Sequence, residues 1–391
     1  MAEVVDVCLV GAGVACLYAA RELLKRDPAL RVLLLERERR VGGRVWASTF
    51  AGVPGLPRGA GVGRVGTDRR LLALLDELGL PYRTVPHVAS HLAWAPPQID
   101  VAACVRRLRA ARPAAGRETF RAYATRVLGG PEAYAAFKTA AGFSDFDRAD
   151  ALDTVLDYHL QDLHTDGARI ALVPWQALLR ALVKGLPPGS VRTRCAVERL
   201  ERRRDGRWDV HASDGVVTAA RVVVGGTAST LRALFPRVKE YEAVLAQPFV
   251  RVYAQATGAP PLPPGMTAVP GDLQKVAHMA ADVYLLAYSD NESAGRVAAL
   301  RPTELESLAR ETLRAPRLRI KRTLRAWWPE GTHCFAPLDV AHFRDRDAFL
   351  RRAQRPAPGV AVVGEMLSRK QGWTEGALES VAAALATADW R

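Results

Sequence analysis

Over the first 45 residues the spacing of apolar positions changes twice. Val4-Val5-Asp6-Val7-Cys8-Leu9-Val10 is an almost unbroken apolar run, the pattern of a parallel strand buried on both faces. It breaks at Gly11-Ala12-Gly13, and from about Val14 to Arg26 the apolar residues return at helical spacing. A second apolar strand, Arg31 to Leu35, then ends in Glu36. This order predicts a dinucleotide-binding βαβ unit. Gly11 and Gly13 let the backbone approach a pyrophosphate, the helix points its positive end at the phosphates, and Glu36 stands where a carboxylate accepts hydrogen bonds from a ribose diol. Cys16 replaces the third glycine of that fingerprint, which predicts slight crowding between helix and strand without effect on the phosphates.

The segment after Glu36 narrows the ligand. Arg37-Glu38-Arg39-Arg40-Val41-Gly42-Gly43-Arg44 sets a flexible Gly-Gly pair and a planar cation beside the same pyrophosphate. A simple NAD domain has no need of that pairing, so FAD is the expected cofactor, with Gly11, Gly13, Glu36, Arg37, Gly43 and Arg44 as its contacts.

Further along, Arg58-Gly59-Ala60-Gly61-Val62-Gly63 predicts a Gly-rich turn, with Gly59 and Ala60 beside the cofactor, and Arg69 to Leu78 a helix. Pro96-Pro97 reads as a boundary. Val101 to Leu163 is Ala- and Arg-rich at helical spacing and predicts a helical insertion, and Leu172 to Leu186 a further helix. Val191 to Leu200, Trp208 to Val217 and Arg221 to Val224 predict a three-strand meander, with Val197 where a strand passes an adenine. Phe249 to Thr257, Val283 to Tyr288 and Lys321 to Trp328 read as strands, and Pro302 to Leu313 as a helix. Val360 to Val363 and Gly376 to Ala386 read as a closing strand and helix. The expected fold class is α/β. A discontinuous Rossmann-like FAD-binding domain (1–95, 165–240 and 355–391) is joined to a mixed α+β substrate domain with the helical insertion (96–164 and 241–354).

Composition adds limits. At 391 residues, 49% of them hydrophobic, the chain can bury the cores of two or three domains. It has no run of about 18 apolar residues, so no membrane span is expected. The first strand begins close to Met1, which predicts no signal peptide. Cys8, Cys16, Cys104, Cys195 and Cys334 are odd in number and scattered, which predicts reduced thiols and a cytoplasmic location. The net charge of +14 permits contact with nucleic acid or another polyanion through the basic surface. Yet only seven of the 55 basic residues are lysine, a bias that reads mainly as GC-rich coding. Arg199 to Arg207 and Arg314 to Arg325 read as solvated faces. No metal site is predicted, and the oligomeric state is not legible.

At the C-terminus Val362-Val363-Gly364-Glu365 is followed by Ser368-Arg369-Lys370-Gln371-Gly372-Trp373-Thr374-Glu375-Gly376-Ala377-Leu378-Glu379-Ser380. Together with residues 36–44 this resembles the flavin-containing amine oxidase family of monoamine, polyamine and L-amino-acid oxidases. The resemblance is close at the two ends and loose in the middle. With Gly142-Phe143-Ser144-Asp145 and Trp328-Pro329-Glu330-Gly331 as further landmarks, the layout is most similar to the short soluble versions encoded by large DNA viruses, which would place the protein in host cytoplasm or virion. Read physically, Gly364 and Glu365 end a strand near the flavin's ribityl and pyrophosphate groups. The helix from Thr374, with Ala377 in its first turns, turns its positive end toward the flavin ring, which gains electron density on reduction.

The resemblance implies two aromatic walls along an amine channel, whose π faces can hold an ammonium before the neutral amine reacts. Trp373 matches the first wall. The second falls in Trp327-Trp328-Pro329-Glu330-Gly331-Thr332-His333-Cys334-Phe335, with Phe335 or His333 as the side chain, and only one of Trp327 and Trp328 can face the site. The resemblance also implies a lysine near flavin N5, for which Lys275 is the candidate by chain order. Pro174-Trp175 departs from the Gly-Gly that relatives commonly carry. Cys334 precedes Phe335 as the FAD-tethering cysteine does in monoamine oxidases, but the neighbouring glycines differ, so a free thiol and non-covalent FAD are expected.

The expected activity is oxidation of a mono- or polyamine or an amino acid to an imine, with O2 reduced to H2O2. Two alternatives stand beside it: a related FAD-dependent oxidase, desaturase or mutase acting on a non-amine substrate, and a non-catalytic FAD-binding protein with a structural or assembly role.

Overall fold

Glu3–Val10 forms the centre of a seven-stranded sheet in the computed structural model, which describes residues 3–95, 99–142, 144, 146–156, 167–387 and 390. Gly215–Val224 lies parallel to it on one side and Val32–Glu36 on the other. Val191–Thr193 continues the parallel set beyond Val32–Glu36, and Val360–Val362 adds to the end of Gly215–Val224. Both faces of this sheet are covered. Val7, Leu9 and Leu34 pack with the helices Val14–Arg26, Trp175–Lys184 and Thr374–Leu385, while Cys8, Val10, Leu33 and Leu35 pack into a second core on the other side. That is why the sequence runs are continuously apolar. Each fully buried Leu or Val of this kind stabilises the fold by roughly 1.5–3 kcal/mol.

The predicted meander is only partly continuous. Arg194 has φ 56°, and the chain turns there, so Val191–Thr193 pairs with Val32–Glu36 while Val197–Arg202 pairs with Trp208–Ala212. A period-2 pattern carries no information about a change of partner, which is why the break was not legible.

The second sheet has six strands in the order Arg319–Phe335, Val244–Thr257, Val283–Asp290, Lys275–Ala280, Met266–Ala268 and Ala89–His91. Ala89–His91 comes from the segment expected in the cofactor domain. The strand anticipated over Lys321 to Trp328 continues to Phe335, because a register shift opposite Gln247 and Phe249 absorbs Pro329-Glu330-Gly331. Val250, Val252 and Ala254 on one face pack with the helices Asn291–Ala299 and Pro302–Thr312. The other face carries Phe249, Arg251 and Tyr253 and is turned toward residues 57–61. There Tyr253 Oη donates to the Pro57 carbonyl at 2.6 Å and Trp328 Nε1 to the Arg58 carbonyl at 2.6 Å.

The insertion is helical as expected. Val101–Ala111, Phe120–Leu128, Pro131–Ala141 and Ala151–Leu156 enclose Phe120, Phe137 and Phe146. Residues 157–163 of the predicted insertion, the Pro96-Pro97 boundary, and Phe143 and Asp145 lie outside the described residues. Among the described residues no helix is long and apolar enough to cross a membrane.

Candidate active site

Three of the parallel strands end together in glycine turns. Gly11, with φ +92°, donates its N–H to Leu35 O at 2.7 Å, Gly225 donates to Val10 O at 2.9 Å, and Val363, just before Gly364, donates to Val224 O at 2.8 Å. Gly13 caps the helix Val14–Arg26 without a side-chain hydrogen bond, and the first turn holds no acidic residue, so the helix's positive end is left for an anion. Glu36 ties the end of the second strand to the first turn. Its Oε2 accepts the Ala12 N–H at 2.7 Å and its Oε1 the Glu38 N–H at 2.9 Å. Gly43 lies over Gly13, and the Gly42 N–H donates to Ala12 O at 2.8 Å, which brings the Gly-Gly pair onto the first turn. Gly59 is pressed against the Arg44 carbonyl so closely that any side chain would collide, and the Ala60 N–H donates to that carbonyl at 3.0 Å. Cys16 fits because Gly225 faces it, a compensation on another strand.

Arg44 does not extend freely into the cradle. Its Nη1 donates to Glu365 Oε1 at 2.5 Å and to the Gly331 carbonyl at 3.2 Å. Glu365 Oε1 also lies 2.5 Å from His333 Nδ1, and its Oε2 accepts the Gly372 N–H at 2.7 Å. His333 Nε2 accepts the Ala228 N–H at 3.1 Å, which puts the ring proton on Nδ1, directed at Glu365. Burial alone would raise the Glu365 carboxyl, but His333, Arg44 and the Gly372 N–H outweigh it and hold the group below the usual carboxylate range.

Several expected contacts are therefore placed differently. His333 is fully enclosed in this cluster, and Phe335 packs 5.4 Å from Phe349 with Arg346 4.5 Å over its ring. His333 has no ring face left for an amine, while Phe335 also lines a small cavity with Asp153, Thr154 and Gln371. Arg37 points to solvent beside Glu38, at 3.4 Å. Val197 starts an edge strand opposite Ala212 and packs against the core. The Gly364 N–H is taken by Ser380 Oγ at 2.8 Å. Thr374 and Ala377 are buried in the first turn of the C-terminal helix, whose Glu375 caps a neighbouring helix by accepting the Arg70 and Leu71 N–H groups at 3.0 and 2.8 Å.

The aromatic groups gather along residues 46–64. Trp46 carries Arg58 at 3.6 Å and Arg40 at 4.1 Å over its ring, and Trp328 stands 6.5 Å from Trp46 and 6.4 Å from Phe249. Trp327 is 39% exposed, so Trp328 is the member of the pair that turns inward. Trp373 lies under the guanidinium of Arg64 at 3.9 Å, and Arg64 is held by Asp68 at 2.7 Å. Trp175, in place of the expected glycine pair, donates Nε1 to the Gly61 carbonyl at 3.2 Å. Lys275 is buried, with Nζ 3.1 Å from Asp290 and 4.2 Å from the Tyr288 ring centre. Cys334 is also buried, where it accepts a hydrogen bond from Gln247 Nε2 at 3.0 Å. Arg251 was missed. Its signal is a lone charge in the apolar alternation Phe249-Val250-Arg251-Val252-Tyr253.

An uncapped helix start, close-packed glycine turns and a carboxylate at the second strand end fit the phosphates and ribose of a dinucleotide. The fold and this edge define a flavin-dinucleotide-binding protein. The sequence pattern of the flavin containing amine oxidoreductase family matches residues 14–98 and 114–385, and the chain belongs to that family. FAD is its cofactor. A Mycobacterium tuberculosis protein described as a flavin-containing monoamine oxidase, AofH, is 47% identical over 77 residues, which are 20% of this chain and 16% of that protein. The chain thus spans about a sixth of the length of this curated relative. Among solved structures, putrescine oxidase bound to putrescine superposes with a TM-score of 0.75 at 17% identity, covering 98% of this chain and 99% of the other. Cyclohexylamine oxidase from Brevibacterium oxydans superposes with a TM-score of 0.74, also at 17% identity, covering 98% of each. At that identity the likeness establishes the fold. The narrower viral placement gains no support from these proteins.

Proposed function

We propose that the protein is an FAD-dependent oxidase of a small amine, with O2 as electron acceptor. The observation that carries this reading is that residues 57–64 join two opposed surfaces: the glycine-turn cradle of the first sheet and the face of the second sheet bearing Phe249, Tyr288 and Trp328. Gly59 and Ala60 touch Arg44 on one side, while Pro57 and Arg58 accept hydrogen bonds from the second sheet on the other.

Bound flavin would take two electrons and two protons from the amine's C–H and N–H, leaving an imine that water hydrolyses, and pass them to O2 as H2O2. Gly11, Gly13, Glu36 and Gly43 would hold the dinucleotide, and Arg44 and Glu365 would fix the strand ends on either side of it. Trp373 and Trp328 would orient the amine and exclude water, and Lys275, held by Asp290, would carry the charge nearest the reacting end. On this reading the first sheet would carry the cofactor domain and the second sheet the substrate domain.

A polyanion role draws little from the basic run at residues 199–207. Arg199 is paired with Glu201, Arg203 with Asp205 and Asp209, and Arg207 with Asp205.

The experiment is anaerobic mixing of the purified yellow protein with a panel of monoamines, polyamines and amino acids, followed by admission of O2. Bleaching by at least one amine and stoichiometric peroxide are expected. Flavin that no amine reduces would overturn the reading in favour of a non-catalytic FAD protein.

A further inference from the structure

We propose, building on the amine-oxidising reading above, that Glu330 is a positioning residue: it fastens the bulge after Trp328 to the glycine turn that ends Gly215–Val224, and so fixes the Trp328 ring relative to the cofactor cradle. Trp328 pairs with Phe249 and Thr332 with Gln247, so Pro329, Glu330 and Gly331 stand opposite the single residue Pro248. Neither Pro248 nor Pro329 has an N–H to give to the sheet. The ladder by itself therefore does not hold this bulge in one place. Yet the bulge lies against the face that carries the inward-turned rings, since a Cβ on Gly331 would come within 2.2 Å of the Phe249 ring.

What holds the bulge comes from the first sheet. The Glu330 carboxylate accepts the Ser229 N–H at 3.0 Å and the hydroxyls of Ser229 and Thr227. Burial acts to raise this carboxyl, but the Ser229 and Thr227 hydrogen bonds outweigh it and keep the group below its ordinary range, so it is ionised at neutral pH. Hydrogen bonds to a charged acceptor are roughly twice as strong as those between neutral groups. The donors follow directly on Gly225-Gly226, and Gly225 donates to Val10 O in the same cradle as Gly11. Two further ties lie beyond Glu330: Arg44 reaches the Gly331 carbonyl at 3.2 Å, and His333 accepts the Ala228 N–H at 3.1 Å. Of the three, Glu330 is nearest to Trp328 along the chain.

Trp328 is held at its far end by other groups. Its Nε1 donates to the Arg58 carbonyl at 2.6 Å, and its ring meets Trp46 at 6.5 Å and Phe249 at 6.4 Å. Its backbone end is set by the bulge. Without the Glu330 carboxylate the Thr227 and Ser229 donors lose their acceptor, residues 329–331 are released to shift, and the ring tilts with them. A misplacement on the order of 1 Å can cost about 100-fold in rate. Glu330 acts through Trp328, not by touching the amine.

The test is a double-mutant cycle on the FAD-loaded protein: wild type, Glu330→Ala, Trp328→Ala and the double variant at matched flavin content, with Glu330→Gln and Ser229→Ala beside them. With benzylamine, cyclohexylamine and putrescine as probes, Glu330→Ala should lower the limiting rate of anaerobic flavin reduction by about 10- to 100-fold while FAD retention stays close to wild type. In the Trp328→Ala background the same change should matter by less than about twofold. Glu330→Gln keeps an acceptor oxygen for Ser229 and should recover most of the rate. Ser229→Ala should lower the rate from the other side of the contact, and in both backgrounds it carries the test if Glu330→Ala does not fold. Effects of Glu330→Ala and Trp328→Ala that multiply, or a rate unchanged in Glu330→Ala, overturn the proposal. So does a rate that falls only in step with lost FAD, because that assigns Glu330 to the cradle. If none of the amines reduces the wild-type flavin, the oxidase reading falls, and titration of benzyltrimethylammonium followed in the flavin spectrum decides. Binding weakened about tenfold by Glu330→Ala, but not in the Trp328→Ala background, sustains the positioning role. Equal binding by wild type and Glu330→Ala, or none by wild type, overturns it.

Discussion

The sulfur of Cys16 occupies the space that a side chain at residue 225 would need: a Cβ on Gly225 would lie 2.5 Å from Sγ. The tight helix–strand contact that a third glycine on the helix would provide is thus made by a glycine on the neighbouring strand. Gly225→Ala should destabilise the protein by about 1–3 kcal/mol, the range for overpacking a filled core. In a Cys16→Ala background the same change should cost much less. Denaturant midpoints of the four proteins measure this coupling, and additive effects would show that the contact does not decide the packing.

Glu36 accepts the Ala12 N–H of the first turn and the Glu38 N–H of its own segment, so its loss should act on the cradle as well as on the ribose. Glu36→Ala should weaken FAD binding by about 10- to 100-fold, on the scale of charge-assisted hydrogen bonds. Flavin retained through dialysis as well as in wild type would remove Glu36 from the site.

The cofactor edge was readable because short-range rules govern it. A strand, a glycine turn, a helix and an acid must follow one another at fixed spacing, and Val14–Arg26 and Val32–Glu36 formed close to where the pattern put them. The substrate side depends on contacts hundreds of residues apart. His333 looks like a channel wall in sequence, yet its partners, Arg44, Ala228 and Glu365, come from three distant segments. Phe335 was drawn inward by Phe349 and Arg346 for the same reason. Arg251 left a mark in the sequence, one charge inside an apolar strand.

Cys334 is 1% exposed and bonded to Gln247. Acid precipitation should therefore release the flavin into the supernatant. Colour that stays in the pellet of wild type and is lost in Cys334→Ser would demonstrate a covalent link.

Trp373 is held from one side by Arg64, which Asp68 fixes in turn. At matched FAD occupancy, Trp373→Ala should slow anaerobic flavin reduction by about 5- to 30-fold, equivalent to about 1–2 kcal/mol of lost positioning. Trp373→Phe should lie between the two. A variant that loses FAD and thermal stability while the reduction rate per flavin is unchanged would assign the ring to packing.

Glu365 joins Arg44, His333 and Gly372 in a buried cluster, and its carboxyl is held below the ordinary range. The unfolded chain therefore binds this proton more readily than the folded one. Stability from Glu365 is fully present above the ordinary carboxyl value of 4.5 and is lost as pH falls toward the depressed folded value. Glu365→Gln leaves Arg44 facing a neutral group and should cost about 3–5 kcal/mol at pH 7, the range for breaking a buried ion pair. The variant lacks the titrating carboxyl, so the gap to wild type should narrow as the pH is lowered below 4.5. Urea midpoints of both proteins measured from neutral to acid pH provide the comparison. A gap that stays constant across that range would mean that the Glu365 carboxyl titrates alike in the folded and unfolded chain, and would dissolve the charge pairing that ties the Arg44 segment to the C-terminal strand.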